Sequence, residues 1–85
     1  GFRLDQNCPN PFNAQTKIPF TLNKPGYTTL DVFNIKGQNI IRLVNEYLIQ
    51  GEHYVLFDAS NLPSSIYYYR LDSGGKTQIK KLLLQ

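Results

Sequence analysis

The sequence predicts an all-β fold, an antiparallel β-sandwich or small barrel of six to seven short strands, and three observations carry that expectation. Apolar and polar residues alternate along a series of short segments, the two-residue period of a half-buried strand. Turn-forming residues punctuate those segments at regular spacing, the pattern of a sandwich or small barrel. The chain has six Tyr and five Phe but no Trp or Met, and these aromatics suit a pleated sheet better than a helix interior.

Phe2-Arg3-Leu4-Asp5 alternates like a short first strand. Residues 7–13, Asn-Cys-Pro-Asn-Pro-Phe-Asn, break regular structure, because Pro9 and Pro11 fix φ and bias the residues before them toward extended geometry. Asn7, Asn10 and Asn13 are suited to bonding their own backbone in turn-like fashion, so an ordered loop is expected with Phe12 tucked toward the core. Ile18, Phe20 and Leu22 mark the buried face of the next strand. Pro19 within it lacks an N–H, which places the strand at a sheet edge or aims the ring at solvent.

Asn23-Lys24-Pro25-Gly26 reads as a turn, since Pro followed by Gly suits positions i+1 and i+2 of a type II turn. Tyr27 to Asn34 follows as a strand, with Thr28, Leu30 and Val32 on one face and Thr29, Asp31 and Phe33 on the other. Gly37 supplies positive φ for a tight turn, and Asn39 to Val44 returns as the second arm of a hairpin. Asn45 to Gln50 is ambiguous and leaves room for one helical turn before Gly51 ends it. Glu52 to Phe57 places His53, Val55 and Phe57 together on one face.

Asp58 to Ser64 is a polar connection. Ser65 to Asp72 gives the clearest alternation, Tyr67, Tyr69 and Leu71 opposite Ile66, Tyr68 and Arg70. Ser73-Gly74-Gly75-Lys76 is a hairpin turn. In the last strand, Thr77 to Leu84, Leu82 and Leu84 share a face with Lys80, and Ile79, Lys81 and Leu83 share the other.

Eighty-five residues suffice for one domain. The segment Gly1-Phe2-Arg3-Leu4 begins inside organised sequence, so the chain reads as a unit cut from a larger protein at a domain boundary. The net charge of +3 is mild. Lys76, Lys80 and Lys81 share strand-like sequence with Ile and Leu, unlike the clustered basic face of a nucleic-acid binder, so no nucleic-acid partner is expected. The lone Cys8 has no intramolecular disulfide partner and no set of zinc ligands around it, and reads as a small residue in a turn. No segment approaches the ~20 apolar residues of a membrane helix.

Chemistry is not encoded in any recognisable form. His53 is the only histidine; a triad would need it with Asp58 or Asp31 and an exposed serine such as Ser64 or Ser65, and neither serine sits in a nucleophile motif. Glu52 and Asp58, six residues apart on one strand, would lie about 20 Å from each other, against the roughly 5–9.5 Å of a glycosidase pair. Gly74-Gly75 lacks the residues of a phosphate loop. Tyr67-Tyr68-Tyr69 suggests a sugar-stacking platform, but alternation turns Tyr68 away from its neighbours. No catalytic residue, metal site or cofactor is expected.

One resemblance supplies a function. Leu4-x-Gln6-Asn7-Cys8-Pro9-Asn10-Pro11-Phe12-Asn13 resembles the LxQNYPNPFN opening of type IX secretion system (Por secretion system) C-terminal sorting domains, type A. The similarity continues through Thr16-x-Ile18-x-Phe20-x-Leu22, Leu30-x-Val32-Phe33-Asn34-x-x-Gly37, Gly51-x-His53, and Leu62 to Leu71 with Tyr67 and Tyr69. It ends on Lys80-Lys81-Leu82-Leu83-Leu84-Gln85, which is similar to the family's basic-apolar terminus. Cys8 stands where Tyr is usual, and Ser65 where Gly is common.

The resemblance implies an immunoglobulin-like, non-catalytic sorting signal at the C-terminus of a secreted protein of Bacteroidota or related bacteria. The parent would cross the periplasm and then an outer-membrane translocon to reach the cell surface or the medium. A sortase-like cysteine peptidase commonly removes such domains, and the upstream partner is often an enzyme. Lys76, Lys80, Lys81, Leu82, Leu83 and Leu84 are then the expected translocon-recognition residues, in a final strand able to add to another sheet edge. The competing reading is that this strand only completes the sandwich. Edge strands and Cys8 also leave room for weak homodimers. Rival roles are an immunoglobulin-like accessory or carbohydrate-binding module using Tyr67 or Tyr69, and a structural capping domain.

Overall fold

A computed structural model describes residues 1–85 as seven strands in two antiparallel sheets, with no helix. The strands are β1 (Phe2–Leu4), β2 (Gln15–Leu22), β3 (Gly26–Phe33), β4 (Asn39–Leu48), β5 (Gly51–Asp58), β6 (Ser65–Ser73) and β7 (Lys76–Leu84). One sheet runs β1-β2-β5 and the other β4-β3-β6-β7. This is an immunoglobulin-like sandwich in which the fourth strand pairs with the third.

Alternation sets which side chains meet between the sheets. Leu4, Ile18, Phe20, Leu22 and Phe57 from the smaller sheet face Leu30, Val32, Tyr67, Tyr69, Leu71, Leu82 and Leu84 from the larger one. Phe12 enters this core from the opening loop, as the sequence predicts, its ring centroid 6.2 Å from that of Phe57. Gly74 and Gly75 both take positive φ, the two-residue turn that suits the twist of a β6–β7 hairpin.

Two local expectations need correction. Asn45–Leu48 is strand, not helix: β4 extends to Leu48, with Tyr47 opposite Tyr27 and Glu46 opposite Thr28. Cross-strand pairing along β3 satisfies this backbone, and an edge strand needs little apolar side chain to do so. The β2–β3 connection is not a type II turn centred on Pro25-Gly26, since Gly26 lacks positive φ and is already paired with Leu48. A Cβ at Gly26 would meet Ser73 Oγ at 3.6 Å.

Of the two placements open to Pro19, the structure takes the second: its strand is central in the sheet, and its ring lies half-buried on the outer face. The sheet tolerates it because the proline nitrogen faces Asp5, just past the end of β1, whose carbonyl finds another donor. Asp5 still donates its N–H to the Pro19 carbonyl at 3.0 Å. The Asp5 carbonyl, which an amide at position 19 would serve, accepts from the Tyr69 hydroxyl at 2.8 Å.

On the outer face of the larger sheet, Asp31 is fully buried beneath two arginines. Arg42 donates to both of its oxygens, Nε to Oδ1 at 2.7 Å and a terminal nitrogen to Oδ2 at 3.0 Å. Arg70 approaches Oδ2 at 3.3 Å. Burial alone would raise the Asp31 carboxyl, but the Arg42 bonds and the charges of both arginines outweigh it and hold the group below its usual range. The stabilisation this pairing gives is therefore complete above the unfolded-state pKa and is lost as pH falls through the lower folded value.

Candidate recognition surface

The predicted recognition residues divide by face. Leu82 and Leu84 are 0% and 4% exposed and belong to the core, so in the folded domain no partner reaches them. Lys76 and Lys81 are exposed, Lys80 is half-buried, and Leu83 lies outward beside Ile66. β7 is an edge strand, as the sequence reading requires. All three arginines form ion pairs with aspartates, Arg3 with Asp5 and Arg70 also with Asp72, whereas none of the six lysines does. The net positive charge of the surface is thus carried by free lysines.

The edge of β7 is not uniformly open. Because the two-residue turn makes Ser73 and Lys76 a bonded pair, the even-numbered residues of β7 bond to β6 and the odd-numbered ones face outward. The opening motif covers the C-terminal half of this outward row. Gln6 donates its side-chain amide to the Lys81 carbonyl at 2.7 Å. Asn10 Oδ1 accepts the Leu83 N–H at 3.0 Å. Phe12 pairs with Leu84 in parallel register, its N–H donating to the Leu83 carbonyl and its carbonyl accepting the Gln85 N–H.

The same motif is tied to the other sheet. Cys8 and Lys17 exchange two backbone bonds, at 2.9 and 3.0 Å. Buried Asn7 donates its side-chain amide to the Pro9 carbonyl and to Thr16 Oγ1, both at 3.1 Å, and its backbone N–H to the Tyr69 hydroxyl at 2.9 Å. Burial pushes the Tyr69 hydroxyl up to about 12. Residues 6–12 therefore bridge β2 to β7 across the open side of the sandwich. Ala14, in the left-handed region at φ 76°, turns the chain from this bridge into β2.

Sequence reasoning placed the loop and Phe12 but missed what Gln6 and Asn10 hold. Asn7 does bond its own backbone two residues on, as predicted; Asn10 instead reaches across to β7, and Asn13 is exposed. The contacts of Thr16, named above only as part of a motif, and of Gln78 are likewise not legible in the sequence. Gln78 accepts the Leu4 N–H at 3.0 Å and donates to the Phe2 carbonyl at 3.2 Å, serving the free side of β1. Nothing in local sequence marks such a contact. Cys8, read as a small residue in a turn, is exposed and has no sulfur partner. Gly37 and Gly51 both adopt positive φ.

The geometry offers no catalytic arrangement for the residues considered. His53 stacks on Phe20 with ring centroids 5.4 Å apart, and its Nε2 lies 2.7 Å from the Ile49 carbonyl. No three His, Cys, Asp or Glu side chains converge as metal ligands. Tyr67 and Tyr69 are 3% and 0% exposed, so neither ring is available to stack on a sugar.

A family model described as "Secretion system C-terminal sorting domain" matches residues 8–85. The chain belongs to this family. The sorting domain is accordingly a non-catalytic type IX secretion signal that interacts with the type IX machinery, and its parent is exported to the cell surface or medium. The match begins at Cys8, so Leu4, Gln6 and Asn7 of the opening motif precede it. No curated protein matches the chain.

Proposed function

We propose that residues 1–85 direct their parent from the periplasm through the outer-membrane translocon, with Lys76 to Gln85 as the main recognition segment. A sortase-like peptidase then removes the domain, and the upstream passenger is a separate folded protein. The supporting observation is the position of β7: it is an edge strand bearing three lysines free of ion pairs, and it lies within the family match. Free lysines on an edge discourage indiscriminate strand pairing and favour an acidic receptor.

Deleting β7 would expose the core around Leu82 and Leu84 and confuse recognition with unfolding. Charge reversal at exposed positions separates the two. A reporter carrying the Lys76→Glu, Lys81→Glu double variant is expected to accumulate in the periplasm while circular dichroism of the domain keeps its β signature. Undiminished surface delivery of that folded variant would count against Lys76–Gln85 as the recognition segment.

A further inference from the structure

The clasp of residues 6–12 leaves a defined stretch of the β7 edge bare. The outward-facing groups still without a partner are the N–H and C=O of Thr77, the N–H and C=O of Ile79, and the N–H of Lys81. From the Lys81 carbonyl onward every outward group named above is occupied by Gln6, Asn10 or Phe12. Five alternating backbone groups in an exposed, regular strand form a template for another strand. The register of β6 with β7 is unbroken over this stretch, whereas the β3–β4 ladder at the opposite edge of the same sheet has two shifts that disturb the spacing of its outward groups.

Side chains around the bare stretch describe what would sit there. Lys76 precedes it, Lys80 and Lys81 lie within it, and none is paired with an acid. The outer face beside it is apolar: Ile79 lines a groove with Tyr68, Phe33 and Ile35. The Arg70 guanidinium covers the Phe33 ring at 4.8 Å but is committed to Asp31 and Asp72. The edge of β5, by contrast, carries Glu52 and Asp58.

We infer that β7 receives an extended segment of a partner protein, added as a further strand along Thr77–Lys81, with acidic side chains beside the lysines and apolar ones continuing the Ile79–Tyr68–Phe33 face. The clasp limits that pairing to about five residues and fixes where it stops. This inference rests on β7 being the recognition strand and adds the mode, extent and chemistry of its partner.

Proline at an outward position tests it, since it removes an N–H that β6 does not use. Ile79→Pro is expected to lower surface delivery of a reporter fused to residues 1–85 by about tenfold, through one lost hydrogen bond and a steric block to pairing. Leu56→Pro on the β5 edge is expected to leave delivery unchanged. Normal delivery by a folded Ile79→Pro domain overturns strand addition. If the Lys76→Glu, Lys81→Glu variant is blocked at the same time, the recognition reading survives; if it too is delivered normally, that reading falls as well. A second measurement uses the unaltered chain: amide exchange at Thr77, Ile79 and Lys81 is expected to be fast in the free domain and to slow on translocon-bearing membranes. Unchanged exchange at these three amides in the bound state contradicts the inference whatever the proline variants do.

Discussion

Replacing Phe12 with alanine is expected to destabilise the domain by about 3–5 kcal/mol, the usual range for emptying a buried aromatic site. The ring is almost wholly enclosed and packs against Phe57. A domain of this length has only about 4–13 kcal/mol to lose, so the urea midpoint should fall steeply or the fold should fail. The change should also be felt at a distance in sequence. Phe12 carries the two backbone bonds that hold Leu83 and Gln85, so amide exchange at Gln85 should accelerate more than exchange in the β2–β5 ladder. Phe12→Leu, which restores most of the volume, is expected to recover much of the loss. A loss below about 1 kcal/mol for Phe12→Ala would contradict the bridging role assigned to this segment.

Tyr69→Phe is the second large effect, although it removes only one oxygen. The hydroxyl accepts from the Asn7 N–H and donates to the Asp5 carbonyl, both beside Pro19, where the strand ladder has no amide to offer. Leaving both groups unpaired is expected to cost about 2–4 kcal/mol, measured by denaturant titration at neutral pH. The same residue sets an alkaline limit. Its folded pKa, raised to about 12, exceeds the ordinary tyrosine value of 10.0. The folded state therefore holds this proton more tightly, and its stabilisation is complete below the unfolded value and fades as pH rises between the two. By pH 12 about 2 kcal/mol should be gone from the parent domain through this residue, and that step should be absent from Tyr69→Phe. An identical alkaline profile for both proteins would show that the hydroxyl is not buried as described.

These two residues also show what the sequence could and could not reveal. Tyr69 was assigned to the inner face by alternation alone, because a strand's period fixes the side on which each residue lies. Its partners, Asn7 and Asp5, lie more than sixty residues away along the chain, and no local pattern encodes such a distance. β4 was read short for a related reason. It is an edge strand with most of its side chains in solvent, so the alternation that betrays other strands is absent from Asn45 to Leu48. For Pro19 the sequence left two placements open, an edge strand or a ring turned outward; the second holds because the Tyr69 hydroxyl serves the Asp5 carbonyl in place of the missing N–H. The terminal strand was legible as a strand with lysines on it. That the opening motif covers half of its free edge was not, since Gln6 and Asn10 read equally well as solvated loop residues.

Fusing residues 1–85 to the C-terminus of a periplasmic reporter, in a host with and without the type IX translocon, is the most direct test of the export role. Protease accessibility on intact cells should find the reporter outside only when the translocon is present, and in the periplasm otherwise. A reporter that reaches the outside equally in both hosts, or in neither, would contradict the claim that this β-sandwich is by itself the export signal.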